Sequence, residues 1–172
     1  MIILITGASH TGKTMLAQKL LEKYHFPTLS EDHLKMGLIR SGRTVLTPES
    51  SDEEITALLW PIEREIIKTA IENGQNLIVE GCYLPFDYAK DFDDSYRKQI
   101  RFVCLIFSER YIRAHGDLIQ SKASVIEKRM CDEPFDREEY IGENERNLAL
   151  CRRYGCDYRI SDENYSFDFD IS

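Results

Sequence analysis

The chain has 172 residues, 42% hydrophobic and 30% charged, which is enough apolar material for a real core in a single domain. Its 22 Lys+Arg stand against 30 Asp+Glu, and the formal charge of -8 argues against general binding to DNA or acidic membranes, which draws on surplus basic charge. The longest apolar runs, Met1–Ile5 and Phe102–Phe107, are far shorter than the ~20 residues that cross a bilayer.

The first predicted strand is Ile2–Ile5, with no basic segment ahead of it, so a signal peptide is not expected. Gly7-Ala8-Ser9-His10-Thr11-Gly12-Lys13-Thr14 follows at once and satisfies G-x-x-x-x-G-K-[ST] in the setting that gives the pattern meaning, strand before and helix after. A bound triphosphate needs a ring of backbone N–H donors, and glycines let the main chain come close. The positive end of the following helix adds to the pull. Lys13 is expected to reach the β- and γ-phosphates, and the Thr14 hydroxyl to bind Mg²⁺. The helix Thr14–Tyr24 sets Leu16, Leu20 and Tyr24 on one stripe and stops before Pro27.

A second strand is predicted at Phe26–Leu29, after which Ser30 is expected to cap a helix with Glu31 and Asp32 in its first turn. At the carboxyl edge of a parallel sheet, where ligands collect, Asp32 could accept a hydroxyl proton during attack on the γ-phosphate, or hold Mg²⁺ through water. The rival reading is an acid that complements the helix dipole, which Glu31 could serve equally well. Thr47-Pro48 is expected to open a longer helix carrying Ile55, Leu58, Leu59, Ile62 and Ile66, kinked or split at Pro61 and stopped at Gly74. Glu80 closes a third strand, Leu77–Val79, and is placed to organise Mg²⁺ and water as a Walker-B carboxylate does. Tyr83 and Phe86 come next, suited either to stacking on a substrate ring or to packing in the core.

The fourth strand is Phe102–Phe107, in a stretch from Arg97 to Arg129 holding eight basic residues against three acids. Arg110, Arg113 and Arg129 follow that strand, and Arg146 lies on a last helix, Glu138–Tyr154, that ends at Gly155. Arginines on a mobile segment stabilise a transferred phosphoryl group once water is excluded. A weaker fifth strand is predicted at Asp157–Ile160. Apolar strands alternating with helices give an α/β fold, a mainly parallel five-stranded sheet with helices on both faces. Five cysteines with no CxxC pair and four scattered histidines suggest reduced thiols, no zinc site and a cytoplasmic protein. The guanine-reading N-K-x-D segment of GTPases does not occur.

With these residues assembled, the chain resembles the nucleoside monophosphate kinase-like group of P-loop kinases, which includes adenylate, shikimate and gluconate kinases, chloramphenicol phosphotransferases and zeta toxins. It is similar also to 2-phosphoglycerate-kinase-like proteins. The resemblance implies one P-loop kinase domain over residues 1–172, with an acceptor-binding helical segment at about 31–72 and a lid at about 109–135. It further implies ATP and Mg²⁺ as cofactors and a small-molecule acceptor, a nucleoside monophosphate or another metabolite. Asp32-His33-Leu34-Lys35 is similar to the start of the acceptor-binding helix, so Lys35 would grip the acceptor, beside Glu80 and Tyr83. Ile126-Glu127-Lys128-Arg129-Met130 is similar to the lid helix that delivers a catalytic arginine, a role that falls to Arg129. Three positions depart from the group: His10 stands where nucleotide kinases carry glycine, Glu80 replaces an aspartate, and Tyr83-Leu84-Pro85 stands where an arginine is expected. Two other readings use the same residues, a nucleotide-binding regulatory ATPase and a toxin- or antibiotic-type small-molecule kinase.

Overall fold

Every side chain from Ile2 to Ile5 is apolar, and a strand sends successive side chains to opposite faces, so this run demands cover on both sides. The computed structural model describes residues 1–126, 136–165 and 169, and it supplies that cover. Ile3 and Ile5 lie in one buried cluster with Leu16, Leu20, Ile112, Ile119 and Tyr140. Ile2 and Leu4 lie in the other with Trp60, Ile67, Ile71, Phe102 and Cys151.

The elements are β1 (Ile2–Gly7), α1 (Lys13–Tyr24), β2 (Thr28–Ser30), α2 (Glu31–Arg40), α3 (Asp52–Glu72), β3 (Leu77–Glu80), a short 3-10 turn (Tyr88–Asp91), α4 (Asp94–Arg97), β4 (Ile100–Phe107), α5 (Glu109–Ile126), α6 (Arg137–Tyr154) and β5 (Asp157–Ser161). The strands are all parallel, in the order β2-β3-β1-β4-β5. Chain order therefore reverses around β1, whose neighbours β3 and β4 lead to helices on different faces. Ligands of open α/β sheets bind at such a switch point, beyond the carboxyl ends of the strands. Among the described residues no helix is long and apolar enough to cross a membrane.

Three local expectations need correction. The helix expected from Thr47-Pro48 begins instead at Asp52, because Ser51 forms a reciprocal capping box with Glu54: the Glu54 N–H donates to Ser51 Oγ (3.3 Å), and the Ser51 N–H donates to the Glu54 carboxylate (3.1 Å). Pro61 does not divide α3, which runs unbroken over 21 residues. It sits on the exposed side, where one missing N–H is tolerated, while Ile55, Leu59, Trp60 and Ile67 keep the opposite face packed. Ser30 stands at the N-cap of α2 but makes no side-chain cap bond; its hydroxyl is engaged with Glu80 instead.

Candidate active site

The loop between β1 and α1 owes its shape to three residues at positive φ. Gly7 (φ 143°) passes so close to β4 that a Cβ there would stand 2.4 Å from the Leu105 carbonyl oxygen. His10 (φ 65°) takes the left-handed conformation that histidine adopts more readily than most residues, and Gly12 (φ 89°) leads into α1. Buried Thr11 closes the loop by donating its hydroxyl to the Ala8 carbonyl (2.9 Å). Lys13 folds back into this ring and donates to the carbonyls of Gly7 (3.1 Å) and Ala8 (2.8 Å). Burial works against its ammonium, but the Cys82 sulfur and the carboxylates of Glu80 and Glu143 outweigh it and hold the Lys13 pKa above the ordinary lysine value. Lys13 is thus a charged, buried cation held by carbonyls that an anion could displace.

At the end of β3, Glu80 is buried and its carboxylate accepts the Thr14 hydroxyl (3.2 Å). Burial raises the Glu80 pKa, opposed by the hydrogen bonds from Ser30 and Thr14 and by the charge of Lys13. A hydroxyl and a carboxylate at the mouth of a phosphate loop are hard oxygen donors, the set that suits Mg²⁺.

Beside them α2 and the turn after β3 build a second cluster. Lys35 is buried, pairs with Asp32 (3.2 Å) and donates to the Tyr83 hydroxyl (2.9 Å). Burial alone would lower the Lys35 pKa, but Tyr83 and Asp32 raise it. Burial raises the Tyr83 pKa, so the phenol keeps its proton. Since its oxygen accepts from Lys35, its O–H stays available as a donor. Phe86, by contrast, packs against Phe102 with ring centroids 5.6 Å apart and belongs to the core.

The third wall is α6. Tyr140 donates its hydroxyl to the Ser9 carbonyl, and Glu143 accepts the Ser9 N–H, so α6 grips the loop by both sides of one residue. Asn144 fixes the helix to the sheet by accepting the Phe107 N–H (2.9 Å). The arginines expected on a lid divide. Arg110 is exposed and pairs with Glu163 (2.9 Å) and Asp162 (3.5 Å). Arg113 is exposed and pairs with Glu109 (2.8 Å) and Glu138 (2.7 Å). Both are held by carboxylates of α5, α6 and the segment after β5. Arg146 is exposed on α6 near Glu143. Arg129 lies outside the described residues, as does the latter part of the expected lid.

No protein-family profile matches the chain, and no curated protein matches it in sequence. Solved structures do match. A candidate kinase from Chloroflexus aurantiacus is similar over 81% of this chain and 73% of its own, with 22% identity and a TM-score of 0.54. Deoxyadenosine kinase from M. mycoides, solved with dCMP and a flexible dCDP, is similar over 98% of this chain and 92% of its own, with 14% identity and a TM-score of 0.54. The chain has the α/β P-loop NTPase fold.

Within this fold, residues Gly7–Thr14, Asp32, Lys35, Glu80 and Tyr83 come together at the carboxyl edge of the sheet. Tyr140 and Glu143 escaped the sequence reading, and Ser30 entered it only as a helix cap. Nothing in the local pattern of α6 or at a helix cap marks a side chain whose partner lies on a distant loop or strand. Glu31, read as an alternative to Asp32 for the helix dipole, is fully buried and turned away from solvent.

Proposed function

We propose that this protein is a small-molecule kinase that moves the γ-phosphoryl group of ATP to an acceptor hydroxyl in a Mg²⁺-dependent reaction. The observation that carries the reading is the meeting, at one sheet edge, of a phosphate loop, a Thr14–Glu80 pair and an Asp32–Lys35–Tyr83 cluster. The loop N–H groups and Lys13 would hold the triphosphate, with the Lys13 ammonium moving from the Gly7 and Ala8 carbonyls to phosphate oxygens. Thr14 and Glu80 would hold Mg²⁺, which when bound neutralises charge on the β- and γ-phosphates.

Asp32 is held by Lys35 and is exposed enough to meet a substrate, its side chain being 38% accessible. It orients the acceptor hydroxyl and takes its proton as the oxygen attacks the γ-phosphorus; ADP leaves and the acceptor keeps the phosphoryl group. Tyr83 donates to an acceptor oxygen. The segment 31–72 is the acceptor side, and 109–135 is the lid that excludes water, with Arg129 and Arg146 the arginines that would face the transferred group. Catalysis is then mainly positioning and electrostatics.

The test is ADP release from Mg²⁺-ATP against a panel of nucleoside monophosphates, deoxynucleosides, sugar acids, phosphoglycerates and antibiotic-like alcohols. Acceptor-dependent turnover is expected, abolished by Lys13→Ala and reduced by about 10²–10⁴ in Asp32→Asn, the range for a positioned general base. ATP binding with no stimulation by any acceptor, and a basal hydrolysis indifferent to Asp32→Asn, would favour a regulatory ATPase.

A further inference from the structure

Beneath the acceptor side lie two glutamates with no solvent exposure, Glu31 in the first turn of α2 and Glu63 midway along α3. Glu31 Oε2 accepts the Tyr83 N–H at 2.7 Å. Gly81 makes that approach possible, because a Cβ there would stand 2.0 Å from Glu31 Oε2 and 2.6 Å from Glu31 Cβ. The other Glu31 oxygen and both Glu63 oxygens reach no donor among the described residues. The two carboxyls do lie within hydrogen-bonding reach of each other.

Two ionised carboxylates in that position would repel and would each lack solvation, a cost far above that of one bound proton. A single proton between them makes one carboxyl the donor and the other the acceptor. It also leaves Glu31 Oε2 free for the Tyr83 N–H. Burial and the proximity of the two acids push the Glu31 pKa well up, and burial pushes Glu63 to about 7. The charged and titratable groups that face the pair are Lys13 from α1 and Cys82 from the turn after β3. Lys13 is already engaged with the Gly7 and Ala8 carbonyls.

The pair reaches the site through Tyr83. That residue is held by its N–H to Glu31 of α2 and by its carbonyl, which accepts the Thr56 hydroxyl of α3 (3.1 Å). Its phenol accepts Lys35, which pairs with Asp32. An unbroken line of contacts therefore runs from Glu63 through Glu31, Tyr83 and Lys35 to Asp32. We propose that Glu31 and Glu63 share one proton and act as positioning residues, pinning the Gly81–Tyr83 turn to α2 and α3 so that Lys35 and Asp32 are held toward the acceptor. The proposal rests on the reading of Asp32, Lys35 and Tyr83 as the acceptor side.

Three readouts test it, two of them independent of any acceptor. Infrared spectra at neutral pH should show the carbonyl band of a protonated carboxylic acid that is missing in Glu63→Gln; identical spectra would overturn the shared proton. Hydrogen exchange of the Tyr83 amide should quicken by about tenfold or more in Glu31→Ala, the loss expected for a hydrogen bond to a charged or polar acceptor. It should stay near wild type in Glu63→Gln, whose amide can donate to Glu31. Unchanged exchange in Glu31→Ala would overturn the pinning. With an acceptor from the panel above, Glu63→Ala should raise its KM by about tenfold with the KM for ATP within about twofold, and Glu63→Gln should restore it. An unmoved acceptor KM would overturn the positioning role. Absence of turnover in the wild type would remove the kinase reading, while the infrared band and the exchange rates still decide the pair.

Discussion

At Gly12 the backbone stands at φ 89°, and a methyl group there would fall 1.8 Å from the Tyr165 hydroxyl. Gly12→Ala therefore meets a strained conformation and an occupied space together, at the point where α1 turns its N-terminus to the loop. We expect it to weaken binding of a fluorescent ATP analogue by about tenfold or more, on the order of the 1–2 kcal/mol that the left-handed conformation costs a residue with a Cβ. Tyr140→Phe is milder. It removes the bond to the Ser9 carbonyl without opening space, and should cost about 1 kcal/mol in denaturant unfolding. The two substitutions also mark how far residues could be read from sequence. Gly12 belongs to a spacing whose backbone demands are local, so its place in the turn into α1 was legible. Tyr140 meets Ser9 across 131 positions of chain, and no local pattern encodes that distance. Glu31 and Asp32 are neighbouring carboxylates with opposite fates. The ~100° turn between successive helical residues sends one into the core and leaves the other at the surface, a phase that depends on where α2 docks.

Among the elements, α3 offers two changes of opposite sign. Ser51→Ala removes half of a capping box and should lower stability by about 0.5–2 kcal/mol. Pro61→Ala should raise the denaturant midpoint. It restores a backbone N–H to the helix interior, where proline costs about 3 kcal/mol relative to alanine, and this exceeds the ~1 kcal/mol by which proline restricts the unfolded chain. The strands were legible because a parallel sheet covered on both faces needs unbroken apolar runs, and Ile100–Phe107 is such a run with one charged residue. The start of α3 was less so. Thr47-Pro48 and Ser51-x-x-Glu54 are both start signals, and the reciprocal bonds of the second prevail.

For the molecule as a whole, the buried acid pair makes stability depend on pH in an unusual direction. Glu63 is pushed up to about 7 from 4.5, by burial, so over that range the folded chain keeps a proton that the unfolded chain releases. This contribution is fully present below about pH 4.5, falls as pH rises and is lost above about 7, a change of about 3 kcal/mol. The difference in unfolding free energy between wild type and Glu63→Gln, followed from pH 4.5 to 8, checks the sign. A wild type that gains on the variant as pH rises would contradict it. Surface charge works differently. Arg113 is exposed and paired with Glu109 and Glu138, so Arg113→Ala should leave turnover within about twofold.

The position of β1 between β3 and β4 has a consequence for how the chain comes to be folded. Ile2 pairs with Leu77 on one side and with Ile100 on the other, so the most apolar strand is made long before either partner. During synthesis it must wait, greasy and unpaired, until most of the chain has left the ribosome. Slow, long-range strand pairing of this kind exposes a chain to aggregation. Refolding yield should therefore fall with protein concentration, and recover when a chaperone that shields apolar segments is present until β1 has paired with β3 and β4.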